Sequence, residues 1–126
     1  MPWTTIVHWM MFVAWLAHGI GTLANVVSTA GVNIGFPKKP PRLGILTSSP
    51  MRYVAAFVWL VVAVCYIAAA VGLITGAPWW PTAARVAAPL SIVMIVLYWP
   101  AVPPGEQYGG QLVNVATVAY LVFGPK

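Results

Sequence analysis

Apolar residues run through this chain in four blocks, covering residues 4–29, 51–75, 82–99 and 109–123. Within them, the polar positions recur three and four apart, the spacing of one face of a helix. A helix rises about 1.5 Å per residue, so about 20 residues cross about 30 Å of hydrocarbon. The first two blocks exceed that length. The third is bracketed by Trp79-Trp80 and Tyr98-Trp99, an aromatic pair at each end. Trp80 to Trp99 is about 28 Å of helix, one bilayer core between two interfacial belts. The fourth block is the shortest.

The first block sorts into three faces at 100° per residue. Met11, Trp15, His18, Thr22, Asn25 and Thr29 share one stripe. Ala14, Ala17, Gly21, Ala24 and Ser28 form a stripe of small residues beside it, suited to close helix approach. Trp9, Phe12, Leu16, Ile20, Leu23 and Val27 lie opposite, bulky and apolar, and face lipid. The other blocks repeat the theme. Ala55, Cys65, Ala69, Gly72 and Gly76 line up in the second, and Ala84, Ala87, Ala88 and Ser91 in the third. Gln111, Asn114 and Thr117 stand three apart in the fourth. Pro89 removes the donor that the Arg85 carbonyl would use, which predicts a kink in the third helix. The expected fold is an all-α membrane protein. Four transmembrane helices form a compact antiparallel bundle, one transmembrane domain over residues 1–126.

The connections agree. In 31–50, Pro37, Pro40 and Pro41 interleave with Lys38, Lys39 and Arg42, which predicts an extended interfacial loop. Ser48-Ser49-Pro50 reads as a helix start with a serine cap. Residues 76–81 make a tight turn, and 100–110 form a Pro-Gly loop that holds Glu106. Lys38, Lys39, Arg42 and Arg52 place loop 31–50 on the cytoplasmic side, with both termini outside.

Composition makes the membrane assignment firm. Hydrophobic residues are 61% of the 126 and charged ones only 6%, against about a quarter in a soluble domain. The formal charge of +5 comes largely from the first loop. Anionic lipid headgroups are the partner expected for Lys38, Lys39, Arg42 and Arg52, and nucleic acid is not. Cys65 stands alone, which excludes an internal disulfide and a cysteine metal site. Glu106 is the single acid, and its loop position leaves no intramembrane carboxylate for proton-coupled export. No acid accompanies either histidine, so a hydrolytic triad is absent.

One ionisable side chain, His18, falls near the expected midplane, where such residues mark functional sites by default. Trp15, Thr22 and Asn25 share its stripe, and Asn114 faces it from the fourth helix. Two readings follow. His18 can ligate the metal of a haem or chlorophyll, or donate to a quinone carbonyl, with those four residues completing the pocket. Alternatively it is a neutral imidazole bonded to Asn114, Ser91 or a backbone carbonyl, fixing helix register. His8 lies about 15 Å away along the axis and cannot share its metal on a straight helix.

Two segments carry a family resemblance. Residues 72–91, with Ala77-Pro78-Trp79-Trp80-Pro81 and Pro89, and residues 112–121, around Asn114 and Tyr120, resemble DoxX-like small membrane proteins. The resemblance implies a four-helix bundle associated with membrane redox or energy-converting complexes, in a prokaryotic cytoplasmic membrane. The basic residue such proteins often carry late in the first helix has no counterpart in Gly21-Thr22-Leu23-Ala24-Asn25. With so little reactive chemistry, the expected role is a non-catalytic accessory or structural subunit. Its partners are other membrane subunits or further copies of itself. The competing role is a cofactor-binding protein built on His18.

Overall fold

The computed structural model describes residues 2–32, 41, 45 and 48–125. Lys38, Lys39 and Arg42 lie outside the described residues. Those described form four α-helices and no strand: α1 (Trp3–Thr29), α2 (Ser49–Thr75), α3 (Trp80–Leu97) and α4 (Pro104–Phe123). A single 3-10 turn, Trp99–Ala101, separates α3 from α4. The helices α1, α2 and α3 are each long and apolar enough to cross a membrane. At 20 residues α4 has the length but is more polar, and does not join that set.

Helix boundaries follow from local chemistry. Gly76 closes α2 at φ 72°, where a side chain would strain the backbone, and Ala77 N–H returns to the Gly72 carbonyl. Pro81 then opens α3 in its first turn. Ser48 occupies the N-cap position of α2, but its hydroxyl donates to the Ile45 carbonyl at 2.9 Å instead of capping the helix. The expected loop over 100–110 is shorter than its prolines imply. Pro103 stands at the N-cap and Pro104 begins α4, because a fixed φ suits a first turn where the N–H has no partner anyway. Glu106 therefore sits on a helix, not in a loop.

Packing runs α1 on α2, α2 on α3 and α3 on α4, while α1 meets α4 with less backbone approach. Large rings fill that wider seam: Trp15, Trp80 and Tyr120 lie 5.7–5.9 Å apart, centroid to centroid. Small residues serve the tighter contacts, with Ala69, Ala70, Ala84, Ala87 and Ala88 all fully buried. Val13, Ile20, Phe57, Val64, Val93, Leu112 and Val115 are exposed. That outer surface is apolar, as lipid contact requires.

The first helix keeps its polar stripe but only part of its small one, with Ala14, Ala24 and Ser28 half-buried. Met11, Trp15, His18, Thr22 and Asn25 are all buried. Ala17 and Gly21 instead face outward, and nothing lies within 4 Å of a Cβ built at Gly21. Close approach occurs at Gly19, where a Cβ would stand 2.8 Å from Ile67 Cγ1 and 3.1 Å from the Ala63 carbonyl oxygen. Leu16 is half-buried against the core, so it does not belong to the lipid face either.

The matched pair Gly19→Leu and Gly21→Leu isolates this contact, since both changes gain the same helix propensity. Gly19→Leu should lower unfolding stability in detergent by about 1–3 kcal/mol relative to Gly21→Leu, the usual cost of overpacking. Equal midpoints would mean that α1 and α2 do not meet at Gly19.

Candidate functional site

The polar residues of α1 and α4 face one another along the seam between the two helices. Starting at the Trp3 end, the His8 ring stands edge-on to Tyr120 at 5.9 Å. Its Nδ1–H donates to the Thr4 carbonyl at 2.7 Å. About one turn on from Met11, the fully buried Trp15 donates from Nε1–H to Thr117 Oγ1 at 2.8 Å. Thr117 passes its own proton to the Val113 carbonyl at 2.7 Å. Such back-bonding satisfies a buried hydroxyl without a second helix and leaves its lone pairs for the indole.

His18 lies next along the stripe and is 7% exposed. Its Nε2 shares a hydrogen bond of 3.1 Å with Ser91 Oγ on α3. Tyr66 of α2 stands edge-on to the imidazole at 4.9 Å. Gly110 of α4 closes the other side. A Cβ there would fall 2.9 Å from His18 Cε1, 3.0 Å from Ile95 Cδ1 and 3.5 Å from His18 Nδ1. All four helices thus converge on one imidazole. The Tyr66 hydroxyl donates to Asn114 Oδ1, and Asn114 Nδ2 donates to Gln111 Oε1 at 2.9 Å. Thr22 spends its proton on the His18 carbonyl at 2.7 Å.

At the far end of the stripe, Asn25 Nδ2 donates to Glu106 Oε1 at 2.7 Å. Glu106 is half-buried in the first turn of α4, ahead of the apolar stretch 109–123. Burial pushes its carboxyl up to about 7, and the Asn25 hydrogen bond opposes the shift. Gln107 beside it is buried and donates to the Trp99 carbonyl, tying α4 to the preceding turn.

The five residues expected at a site are therefore all buried, and their contacts fall into separate groups. His18 and Asn114 are linked through Tyr66, Trp15 belongs with Thr117, and Asn25 belongs with Glu106. Ser91, one of the partners anticipated for a structural histidine, is the one His18 uses. Arg52 is half-buried, with its guanidinium 5.2 Å from the Tyr53 ring and its Nε without a partner. Tyr66 is a site residue that the sequence reading does not name, although a tyrosine near the centre of the most apolar run is its signal. Glu106 was set aside with its loop. Among the described residues, no three His, Cys, Asp or Glu side chains come close enough to hold a metal ion.

No protein-family model, curated relative or solved structure matches this chain.

Thr117→Val keeps the shape of the side chain and removes the oxygen that Trp15 uses. An indole N–H left unpaired in the core should cost about 1–3 kcal/mol of unfolding stability, while Thr117→Ser should cost less. Denaturation of the two variants in detergent checks this. An unchanged Thr117→Val protein would mean that the indole bonds elsewhere.

Proposed function

We propose that the chain is a non-catalytic subunit embedded in the membrane, built as an antiparallel bundle in which α4 makes the fourth crossing. One observation supports this most: the core histidine, tyrosine and asparagine are joined to partners on neighbouring helices of the same chain, beneath an apolar outer surface. Such a core fixes the register of helices, and such a surface suits lipid and other membrane subunits. The DoxX-like resemblance points the assignment toward an assembly that carries out redox or energy conversion. The polar side chains of α4 face inward at Asn114 and Thr117, which makes its modest apolarity compatible with a span. In this reading Pro89 bends α3, loop 31–50 lies in the cytoplasm, and Lys38, Lys39, Arg42 and Arg52 meet anionic headgroups.

The alternative is that His18 ligates a haem or chlorophyll, or donates to a quinone. Axial ligation would have to displace Ser91 from Nε2 or open the Gly110 edge of the ring, which favours the structural role. The visible spectrum of the purified protein separates the two. Under the structural reading the wild type is colourless, and His18→Gln, which can still bond Ser91, stays within about 0.6 kcal/mol of it. A chromophore that is lost in His18→Gln while the protein stays folded would overturn the subunit assignment.

Topology is checked in a Cys65→Ser background with single cysteines at Lys39, Thr82 and Phe123. Thr82→Cys and Phe123→Cys should label from one side of sealed vesicles and Lys39→Cys from the other. Phe123→Cys labelling with Lys39→Cys would show that α4 does not cross.

A further inference from the structure

At the Trp3 end of the bundle, the start of α1 and the end of α2 leave a cavity of about 310 Å³ between them. Thr4, Thr5, His8 and Trp9 line one wall, and Leu73 and Ile74 line the other. That volume is the lower edge of small-molecule sites, room for a head group rather than a whole amphiphile. The polar wall is open to a ligand. The Thr4 carbonyl takes the His8 Nδ1–H at 2.7 Å, so the neutral ring keeps its proton there and leaves Nε2 as an acceptor. Tyr120 stands edge-on to the ring at 5.9 Å and holds its plane from α4. Among the described residues, neither the Thr4 nor the Thr5 hydroxyl has a hydrogen-bond partner.

The end of α2 adds two acceptors. Gly76 and Ala77 N–H groups both return to the Gly72 carbonyl, and Pro78, four residues after Ile74, has no N–H to give. The Leu73 and Ile74 carbonyls are thereby left without helical donors, at the negative end of the α2 dipole. Beside them lies the positive end of α1, whose first-turn N–H groups accompany the two threonine hydroxyls. An end that favours an anion therefore adjoins one that favours a cation. Glu106, the only acidic side chain, bonds Asn25 at the opposite end, so a cation bound here meets neutral acceptors. The depth is interfacial: Trp79 and Trp80 pack against Gly72 at this level.

We propose that this cavity binds the head group of a lipid that carries a primary ammonium next to its phosphate, as phosphatidylethanolamine does. The ammonium donates to His8 Nε2 and to the carbonyls that end α2. The Thr4 and Thr5 hydroxyls donate to phosphate oxygens, and Trp9, Leu73 and Ile74 carry the glycerol and the first acyl carbons. A choline head has the same two charges but no N–H, so the free acceptors gain nothing from it. A glycerol head offers O–H donors but no cation for the end of α2. The site needs α1 and α2 in a bilayer, and it is independent of the subunit assignment and of a crossing by α4.

The test uses the full chain with ¹⁵N-labelled histidine in nanodiscs at about pH 8, where a free imidazole is neutral. Replacing choline lipid by ethanolamine lipid should move the His8 Nε2 resonance toward that of a hydrogen-bonded acceptor. His18, already bonded to Ser91, should stay in place as the internal reference. Phosphoethanolamine added free to choline nanodiscs should leave His8 unmoved; a full shift would mean a soluble ligand and overturn the lipid assignment. In native mass spectrometry the wild type should retain ethanolamine lipid over choline lipid. His8→Phe keeps a ring against Tyr120, and its preference should fall about tenfold, the worth of one hydrogen bond to a charged group. Equal retention of the two lipids by the wild type would overturn the site, and so would a preference that survives in His8→Phe. Should His8→Phe fail to fold, the wild-type histidine spectra decide: an unmoved His8 resonance removes the site.

Discussion

A hydrocarbon surrounding offers no hydrogen bonds, so polar side chains inside the bundle must find partners within the protein. That constraint places the helices here. Trp15 reaches Thr117 on α4, His18 reaches Ser91 on α3, and Tyr66 on α2 reaches Asn114 on α4. Each bond ties two helices at one register, and together they touch all four. Shifting any helix by one residue would leave at least one donor or acceptor stranded. Apolar packing cannot impose this by itself, because lipid chains are as apolar as the side chains they would replace.

Packing then decides how near the helices come. Glycine and alanine let α1, α2 and α3 approach closely, as at Gly19, where the Ala63 carbonyl leaves no room for a methyl. The α1–α4 seam works differently: indole and phenol rings keep those helices apart, and hydrogen bonds cross the gap. Gly110 joins the two regimes, since a Cβ there would stand 2.9 Å from His18 Cε1, and its absence lets α4 pass the ring. The buried polar atoms left without partners include Tyr98 and Tyr120 hydroxyls, one just past the end of α3 and the other in the last turn of α4.

These two regimes explain what the sequence revealed. The polar stripe of α1 was legible because burying His18, Thr22 and Asn25 costs far less than exposing them to lipid, so spacing alone locates the inner face. The small stripe was misread for a matching reason. Alanine and glycine carry no preference between lipid and protein, so Ala17 and Gly21 had no signal to distinguish them from Gly19. Glu106 was misplaced because proline both interrupts helices and begins them, and Pro103-Pro104 does the second. The partners themselves were beyond reach. Trp15 and Thr117 lie 102 residues apart, and only the folded arrangement says which of several inward hydroxyls an indole meets.

Of the ionisable groups along this seam, His18 and Glu106 are assigned different parts by their chemistry. An imidazole is neutral over much of the physiological range, so His18 can sit at the centre as a donor or acceptor and impose no charge on its neighbours. A carboxyl can be neutral only by holding a proton, and the partner Glu106 meets across the seam is the uncharged amide of Asn25. The central group is also held from several directions, with Ser91, Tyr66 and Gly110 against one ring. The terminal one bonds Asn25 across the seam, while its neighbours Gln107 and Tyr108 tie the first turn of α4 back to Trp99.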